Sequence, residues 1–376
     1  MPLQCEGWAR RRLLGPTLIR SSLTAERGPI YVFSTSMTTI QHPGGFMTAS
    51  KPHRVIITDC DHGGIVPEQE ILGGIAEIEL HQRNDEESLL SFCLDADGII
   101  TQYGRFSRRV LKALRRCKVI CRYGVGVDTV DLAAATEFGI IVAFVPDYCA
   151  DEVSNHAAAL ILALHRHLFA LHRGAKDGNW NFRLAVPTAR LIGQTVGIVG
   201  LGRIGAMLAE KLRGFGVKIQ ATDPYRQDWP EWVCRVPLDE LLATSDIISI
   251  HCPLTDETRH LIDSGALRRM KPSAYLVNTA RGGVVDPEAI LHALREKWIA
   301  GAALDVQEVE PMPAGHPLAG LDNVILTPHA GWYSEGSIVE LKRKVATSVR
   351  RALEGRIPAA VANPDVLKRP RWAGAR

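Results

Sequence analysis

The amino-acid sequence predicts an α/β protein built from two doubly wound parallel sheets, and three observations carry that reading. From residue 53 onward, short β-branched runs alternate with amphipathic segments at helical spacing, the pattern of strand-helix-strand crossovers. The chain has 376 residues, more than one usual core and enough for two. A glycine-rich turn, "VGIVGLGRIG", falls between a strand-like run and a helical run at 196–205.

The first series of strands is expected at "HRVIITD" (53–59), "ADGIIT" (96–101), "KVICRYG" (118–124) and "GIIVAFV" (139–145), with helical segments between them. One long helix is then expected from Val153 to Leu171. Val153, Ala157, Leu160, Ile161, Leu164, Leu168 and Leu171 recur at steps of three and four, and Asp151 and Glu152 suit a helix N-terminus. The histidines of "HRH" (165–167) flank that stripe and are read as structural rather than as metal ligands. A second series follows at 195–200, 217–223, 246–252, 274–280, 300–306 and 323–328, alternating with helices that begin near Ile204, Leu238, Asp263, Pro287 and Tyr333. Six strands with crossovers complete a Rossmann-like, doubly wound dinucleotide fold.

Composition narrows the function classes. The formal charge of +3 originates in residues 1–50, which hold five arginines and two acids; removing these from 44 basic and 41 acidic groups leaves 39 of each. A neutral body without Lys/Arg clusters argues against nucleic acid as a partner. No apolar run reaches the roughly 18 residues that would span a bilayer, which argues against a membrane. The eight cysteines are scattered, without CxxC or Cys/His spacing for zinc, so no metal is expected and a reducing cytoplasm is. Residues 1–50 are Arg-, Ser- and Thr-rich without a sustained period. They are read as a disordered or artefactual extension, with a transit peptide, a broken signal peptide or a true start at Met47 as alternatives. Residues 366–376 are expected to be a flexible tail.

The glycine motif has a physical logic. Gly200 permits the tight turn, Gly202 lets the backbone approach a pyrophosphate, and Gly205 allows close packing, while the phosphates sit at the N-terminus of the helix that begins with Arg203 and Ile204. Asp223 stands 18 residues past Gly205 at the end of the next strand, where a carboxylate accepts from ribose hydroxyls and repels a 2′-phosphate. NAD is therefore the expected cofactor, with Arg226 nearby able to soften the preference.

Three further stretches end predicted strands: "NTARGG" with Arg281, "DVQEVEP" with Asp305 and Glu310, and "TPHAGW" with His329. Arg281 suits a carboxylate clamp, and His329 a proton carrier, since histidine titrates near neutrality. Glu310 suits a group that fixes the imidazole tautomer and stabilises its charged form. Singly each has a plain alternative: a surface charge, a turn acid, a cap. Together, after a dinucleotide fingerprint, they form a chemically sufficient set.

From 53 to about 365 the sequence resembles the D-isomer-specific 2-hydroxyacid dehydrogenases. The motifs are "RYGVGVDTVD", "GIVGLGRIG", "LVNTARGGVVDPEAI", "GAALDV" to "EP", and "NVILTPHAGW". The resemblance implies Arg281, Glu310 and His329 as the catalytic set. It implies that the Gly124-Val125-Gly126 loop binds the substrate carboxylate through backbone N–H groups, and that Asp305 helps hold the nicotinamide amide. Pro253, Thr279 and Ala280 complete the expected cofactor contacts. It further implies a discontinuous substrate domain, 51–150 plus 332–365, around a cofactor domain at 151–331, and a homodimer built on the helix from Val153. Arg122 before the loop and Trp332 after the histidine look like the subgroup of the carboxy-terminal binding protein co-repressors and their bacterial relatives. Trp332 there lies by the substrate, which implies an apolar-sided 2-oxo acid rather than a phosphorylated one. The expected activity is hydride transfer between NADH and a small 2-oxo or D-2-hydroxy acid; the alternative is an NAD(H)-sensing, co-repressor-like binding protein.

Overall fold

The computed structural model describes residues 52–371, so the N-terminal extension with its Met47 and the last five residues lie outside the described residues. Twelve strands form two all-parallel sheets. The first contains β1 (His53–Ile57), β2 (Ala76–Leu80), β3 (Gly98–Thr101), β4 (Val119–Arg122) and β5 (Ile141–Ala143), in the order β2-β1-β3-β4-β5. The second contains β6 (Thr195–Val199), β7 (Lys218–Thr222), β8 (Cys234–Arg235), β9 (Ile247–Ile250), β10 (Tyr275–Asn278), β11 (Gly301–Leu304) and β12 (Val324–Leu326), in the order β12-β11-β10-β9-β6-β7-β8. Each order reverses once, between β1 and β3 and between β6 and β9. Ligands of open α/β sheets lie at such reversals, beyond the carboxyl ends of the strands.

The two strands that the sequence did not announce, β2 and β8, are both at sheet edges. β2 reads "AEIEL", and Glu79 is drawn out of the apolar pattern by Arg54, whose Nε and Nη2 donate to it at 2.6 and 3.0 Å. β8 has only two residues, too short for any period.

The long helix expected from Val153 is broken. It runs from Ala150 to His165, His167 adopts a left-handed φ of 52°, and a separate helix spans Leu168–Lys176. The apolar stripe meets the sheet only as far as Leu164; Leu168 and Phe169 face outward. Ala157, Leu160, Ile161 and Leu164 pack with Val196, Ile198 and Leu208 on one face of the second sheet, whereas Val153 belongs to the core of the first. One helix thus serves both cores.

The last long helix, Glu335–Leu353, starts at a capping box between Ser334 and Ser337. Its Leu341, Val345, Val349 and Ala352 pack with Val55, Ile57, Ile100 and Cys121, so the first sheet is covered by the end of the chain. The chain stays packed beyond 365: Val366 is buried, and Arg371 donates to Phe138 O and Leu114 O. Five of the seven free cysteines among the described residues are buried, as small hydrophobes are. Among the described residues no helix is long and apolar enough to cross a membrane, and no group of three or more acidic, His or Cys side chains is arranged to hold a metal.

Candidate active site

A cleft of about 630 Å³ opens where the carboxyl ends of the two sheets face each other. It brings together Arg122, Val125 and Gly126 from the first sheet with Gly202, Arg203, Ile204, Pro253, Thr279, Ala280, Arg281, Asp305 and His329 from the second, and Trp332 from the connection back. Gly124, Gly200, Gly205, Asp223 and Glu310 are not on its surface.

The glycine turn has three distinct environments. Gly200 has φ +91°, and a Cβ there would stand 2.6 Å from the Cys252 nitrogen on the strand-end across the reversal. A Cβ on Gly205 would meet the Gly200 oxygen at 2.3 Å, so the helix Arg203–Arg213 sits close on its strand. Around Gly202 a Cβ would meet nothing within 4 Å: the space is open, beside a helix N-terminus. Nearby, Thr279 lines the cleft, and its Oγ1 is buried with no hydrogen-bond partner among the described residues. Open backbone, a helix N-terminus and an unsatisfied hydroxyl together fit a dinucleotide carrying a polar ring substituent. Across the cleft, Arg203 Nη1 donates to Pro146 O at 2.6 Å.

Asp223 follows β7. Its Oδ2 accepts from Leu201 N at 2.9 Å, and its Oδ1 from Tyr225 N at 2.9 Å and Arg226 N at 3.1 Å, so the carboxylate ties its own turn to the glycine loop. The Arg226 guanidinium donates to Leu201 O and Asp228 O, and so is bound to backbone.

His329 Nδ1 lies 2.7 Å from Glu310 Oε2, and Glu310 Oε1 accepts from Gln307 N at 2.8 Å. Burial alone would raise the Glu310 carboxyl, but the His329 hydrogen bond and charge, Gln307 N–H and Arg281 hold it below its ordinary value. His329 has a left-handed φ of 54°, and its nitrogen donates to Asp305 O at 2.7 Å. The buried Asp305 carboxylate grips that turn: Oδ1 accepts from Thr327 Oγ1 at 2.5 Å and Ala330 N at 2.9 Å, Oδ2 from Gly331 N at 3.0 Å. His156 Nε2 stands 3.4 Å from Asp305 Oδ1 and 3.1 Å from Thr327 Oγ1. Asp305 was expected to face a cofactor amide; in this structure both of its oxygens face the turn that bears His329.

Arg281 ends β10. Its Nη1 donates to Ala280 O at 2.8 Å, its Nε to Asp128 Oδ1 at 3.4 Å, and Asn278 Nδ2 holds its own carbonyl at 2.9 Å. Burial tends to raise the Asp128 carboxyl, yet Arg281 and Arg122 bring it below its ordinary value. The loop 124–126 runs between two guanidiniums: a Cβ on Gly124 would stand 2.1 Å from Arg122 Nη1, and one on Gly126 1.8 Å from Arg281 Nη2. Gly124 has φ +142°, another reason for glycine there. Trp332 meets His62 edge-on, with centroids 5.0 Å apart.

Sequence reasoning missed His62, Tyr103, Asp128 and His156. Asp128 lies inside the quoted "GVGVD" motif, and His62 and Tyr103 follow the carboxyl ends of β1 and β3, where the strand-end rule would have directed attention. Nothing local marked His156, which sits in the interior of a helix. His251 also lines the cleft, but burial takes it down to about 4 and Ser249 Oγ lies 2.8 Å from its Nε2, so it is a neutral wall.

Residues 158–331 match the model of the D-isomer specific 2-hydroxyacid dehydrogenase, NAD binding domain. The chain is 40% identical over 324 residues to a glyoxylate reductase of Thermofilum pendens, covering 81% of this chain and 94% of that one. It is 37% identical to a D-3-phosphoglycerate dehydrogenase of Methanocaldococcus jannaschii, covering 82% of this chain and 59% of that one. Among solved structures it is similar to a D-lactate dehydrogenase from Aquifex aeolicus complexed with NAD and lactic acid, with TM-score 0.76 and 29% identity, covering 82% of this chain and 99% of that one. The co-repressor subgroup expected from Arg122 and Trp332 gives way to these relatives, which are named as a glyoxylate reductase and a D-3-phosphoglycerate dehydrogenase. Arg122 and Trp332 are weak guides to subgroup, because the motifs beside them belong to the whole site. With two parallel-sheet halves, a glycine turn at the reversal and a cleft between strand ends, the chain belongs to the D-isomer-specific 2-hydroxyacid dehydrogenase family of enzymes.

Proposed function

We propose that the chain is an NAD-dependent reductase of a small 2-oxo acid, producing the D-2-hydroxy acid. The observation that carries this reading is the convergence of Arg281 and the 2.7 Å His329–Glu310 pair on one cleft beside the glycine turn. Bound NADH supplies a hydride to the carbonyl carbon. Arg281 clamps the substrate carboxylate and polarises the carbonyl oxygen, with the N–H groups of 124–126 completing the carboxylate site. With Nδ1 committed to Glu310, His329 uses Nε2 to deliver the proton to the carbonyl oxygen. Glu310 stabilises the imidazolium until that transfer, and Asp305 and Thr327 hold the turn that aims the ring.

NAD is favoured over NADP by Asp223 and by Glu257, whose Oε2 accepts from Tyr225 OH at 2.8 Å, placing a second acid on the same side. Arg226 is committed to backbone oxygens and is poorly placed to greet a 2′-phosphate. A homodimer is supported by the segment after the broken helix, where Phe169, Trp180, Phe182 and Ile192 are exposed, Trp180 at 90%.

The test is NADH oxidation with glyoxylate, pyruvate and hydroxypyruvate. The wild type should turn over at least one of them, and His329→Ala and Arg281→Ala should each lose about two to four decades of kcat/KM. Wild-type levels in both variants would sink the assignment.

A further inference from the structure

We propose that His156 and Glu152, one turn apart on the helix Ala150–His165, are positioning residues that aim His329 at the substrate carbonyl. The inference rests on the reductase reading above, and it names groups that act through the catalytic turn rather than on the substrate.

Both side chains leave the same face of that helix, at i and i+4. Each meets one end of the segment 327–334, which carries His329 and Trp332 and leads from the second sheet to the helix Glu335–Leu353 on the first. At its start, His156 Nε2 lies 3.1 Å from Thr327 Oγ1 and 3.4 Å from Asp305 Oδ1. The Thr327 hydroxyl has one proton and gives it to Asp305 Oδ1 at 2.5 Å, so toward the ring its oxygen can only accept. His156 Nε2 therefore carries a proton and donates between two acceptors. Midway, Gly331 lies against the same ring: a Cβ there would stand 3.2 Å from His156 Cδ2. At the far end, Ser334 Oγ donates to Glu152 Oε1 at 2.7 Å while accepting from Ser337 N at 2.9 Å. The cap of the last helix is thus fixed to the face that holds the catalytic turn.

The segment needs this support. His329 keeps φ at 54°, a conformation that costs a residue with a Cβ and persists where its neighbours fix it. The helix that supplies the two contacts is itself secured: Lys211 Nζ lies within 3.0 Å of Asp151 O, Asp151 Oδ1, Ser154 Oγ and Asn155 Oδ1. Lys211 belongs to the helix Arg203–Arg213, whose N-terminus follows Gly202 at the open glycine turn. One chain of contacts therefore runs from the cofactor turn through Lys211 and the helix Ala150–His165 to His329. Reducing a carbonyl needs a hydride at its carbon and a proton at its oxygen, so the two donors must be held in one frame. The face bearing Glu152 and His156 completes that frame.

The experiment measures kcat, the KM of the 2-oxo acid, NADH affinity by fluorescence titration and the solvent deuterium isotope effect on kcat. The proteins are wild type, His156→Leu, His156→Gln, Glu152→Ala and Glu152→Gln, each with a thermal melt. His156→Leu keeps the bulk against Gly331 and removes the donor, so kcat should fall about 10- to 100-fold and the solvent isotope effect should rise. NADH affinity and KM should stay within about threefold of wild type. His156→Gln, whose amide donates to Thr327, should recover most of the loss. Glu152→Ala should lower kcat about three- to tenfold, and Glu152→Gln, still an acceptor for Ser334, should restore it. Wild-type kcat in a folded His156→Leu, or a loss that falls on NADH affinity or KM instead, overturns the inference and leaves the reductase reading standing. So does a His156→Gln no better than His156→Leu, since the hydrogen bond would then position nothing. If His156→Leu fails to fold, the Glu152 pair decides, and a wild-type kcat in Glu152→Ala overturns the inference. No turnover of any 2-oxo acid by the wild type would remove both readings.

Discussion

Gly126 is the residue that makes room for Arg281: any side chain at 126 would run into the guanidinium, since a Cβ would stand only 1.8 Å from Nη2. Arg281 thus occupies space that the missing side chain of Gly126, on the opposite half of the molecule, leaves open. Gly126→Ala should displace the guanidinium while leaving the fold intact. We expect kcat/KM to fall by about two decades, as for other misplacements of a positioning group. Steady-state assays with a thermal melt check this; an alanine variant with wild-type kinetics would show that Arg281 works elsewhere.

His329 Nδ1 stands 2.7 Å from Glu310 Oε2, a carboxyl that burial would raise and that the His329 hydrogen bond and charge help hold below its ordinary value. Glu310→Gln keeps a hydrogen bond and removes the charge. With the charge that orients the ring gone, kcat should drop about tenfold or more. Substrate-saturation kinetics on a variant shown to be folded decide this, and a wild-type kcat would separate Glu310 from the proton transfer.

Asp305 offers a test through stability. Burial would raise its carboxyl, but His156, Thr327 and the Ala330 and Gly331 N–H groups hold it below its ordinary 3.8. A carboxyl with a depressed folded value stabilises the protein above its unfolded value, and loses that contribution as pH falls through the folded one. Melting temperatures should consequently drop more steeply between pH 5 and about pH 2 in the wild type than in Asp305→Asn, which is expected to be less stable at pH 7 by about 1–3 kcal/mol. Parallel acid limbs would contradict the arrangement.

Thr327 reaches both Asp305 and His156. Thr327→Val should cost about 1 kcal/mol of stability and loosen the turn that bears His329, lowering kcat more than it raises KM. Substrate-saturation kinetics on the purified variant would show whether KM moves instead.

Much of this was legible in the chain. The alternating pattern gave the parallel strands because both faces of such sheets are buried and read as continuous apolar runs, as with Ile247–Ile250. β2 escaped because an edge strand carries charge on its open face. The helix break at His167 escaped because apolar spacing continues through Leu168 and Leu171, while the sheet it packs on stops at Leu164. At the site, Arg281, Glu310 and His329 lay in marked turns after strands. His156, Asp128 and the orientation of Asp305 depend on which loops meet across the cleft, which no local window contains.

The core of the first sheet is finished by the helix Glu335–Leu353, which is synthesised after every strand of both sheets. The second sheet is contiguous in the chain, from Thr195 to Leu326, and its strands are all made before that helix. During synthesis the N-terminal half must therefore wait, with Val55, Ile57 and Ile100 uncovered on one side, while the later half completes itself. Folding during synthesis should run against the direction of translation: the second sheet becomes native first, and the first sheet is sealed only once Glu335–Leu353 has been made.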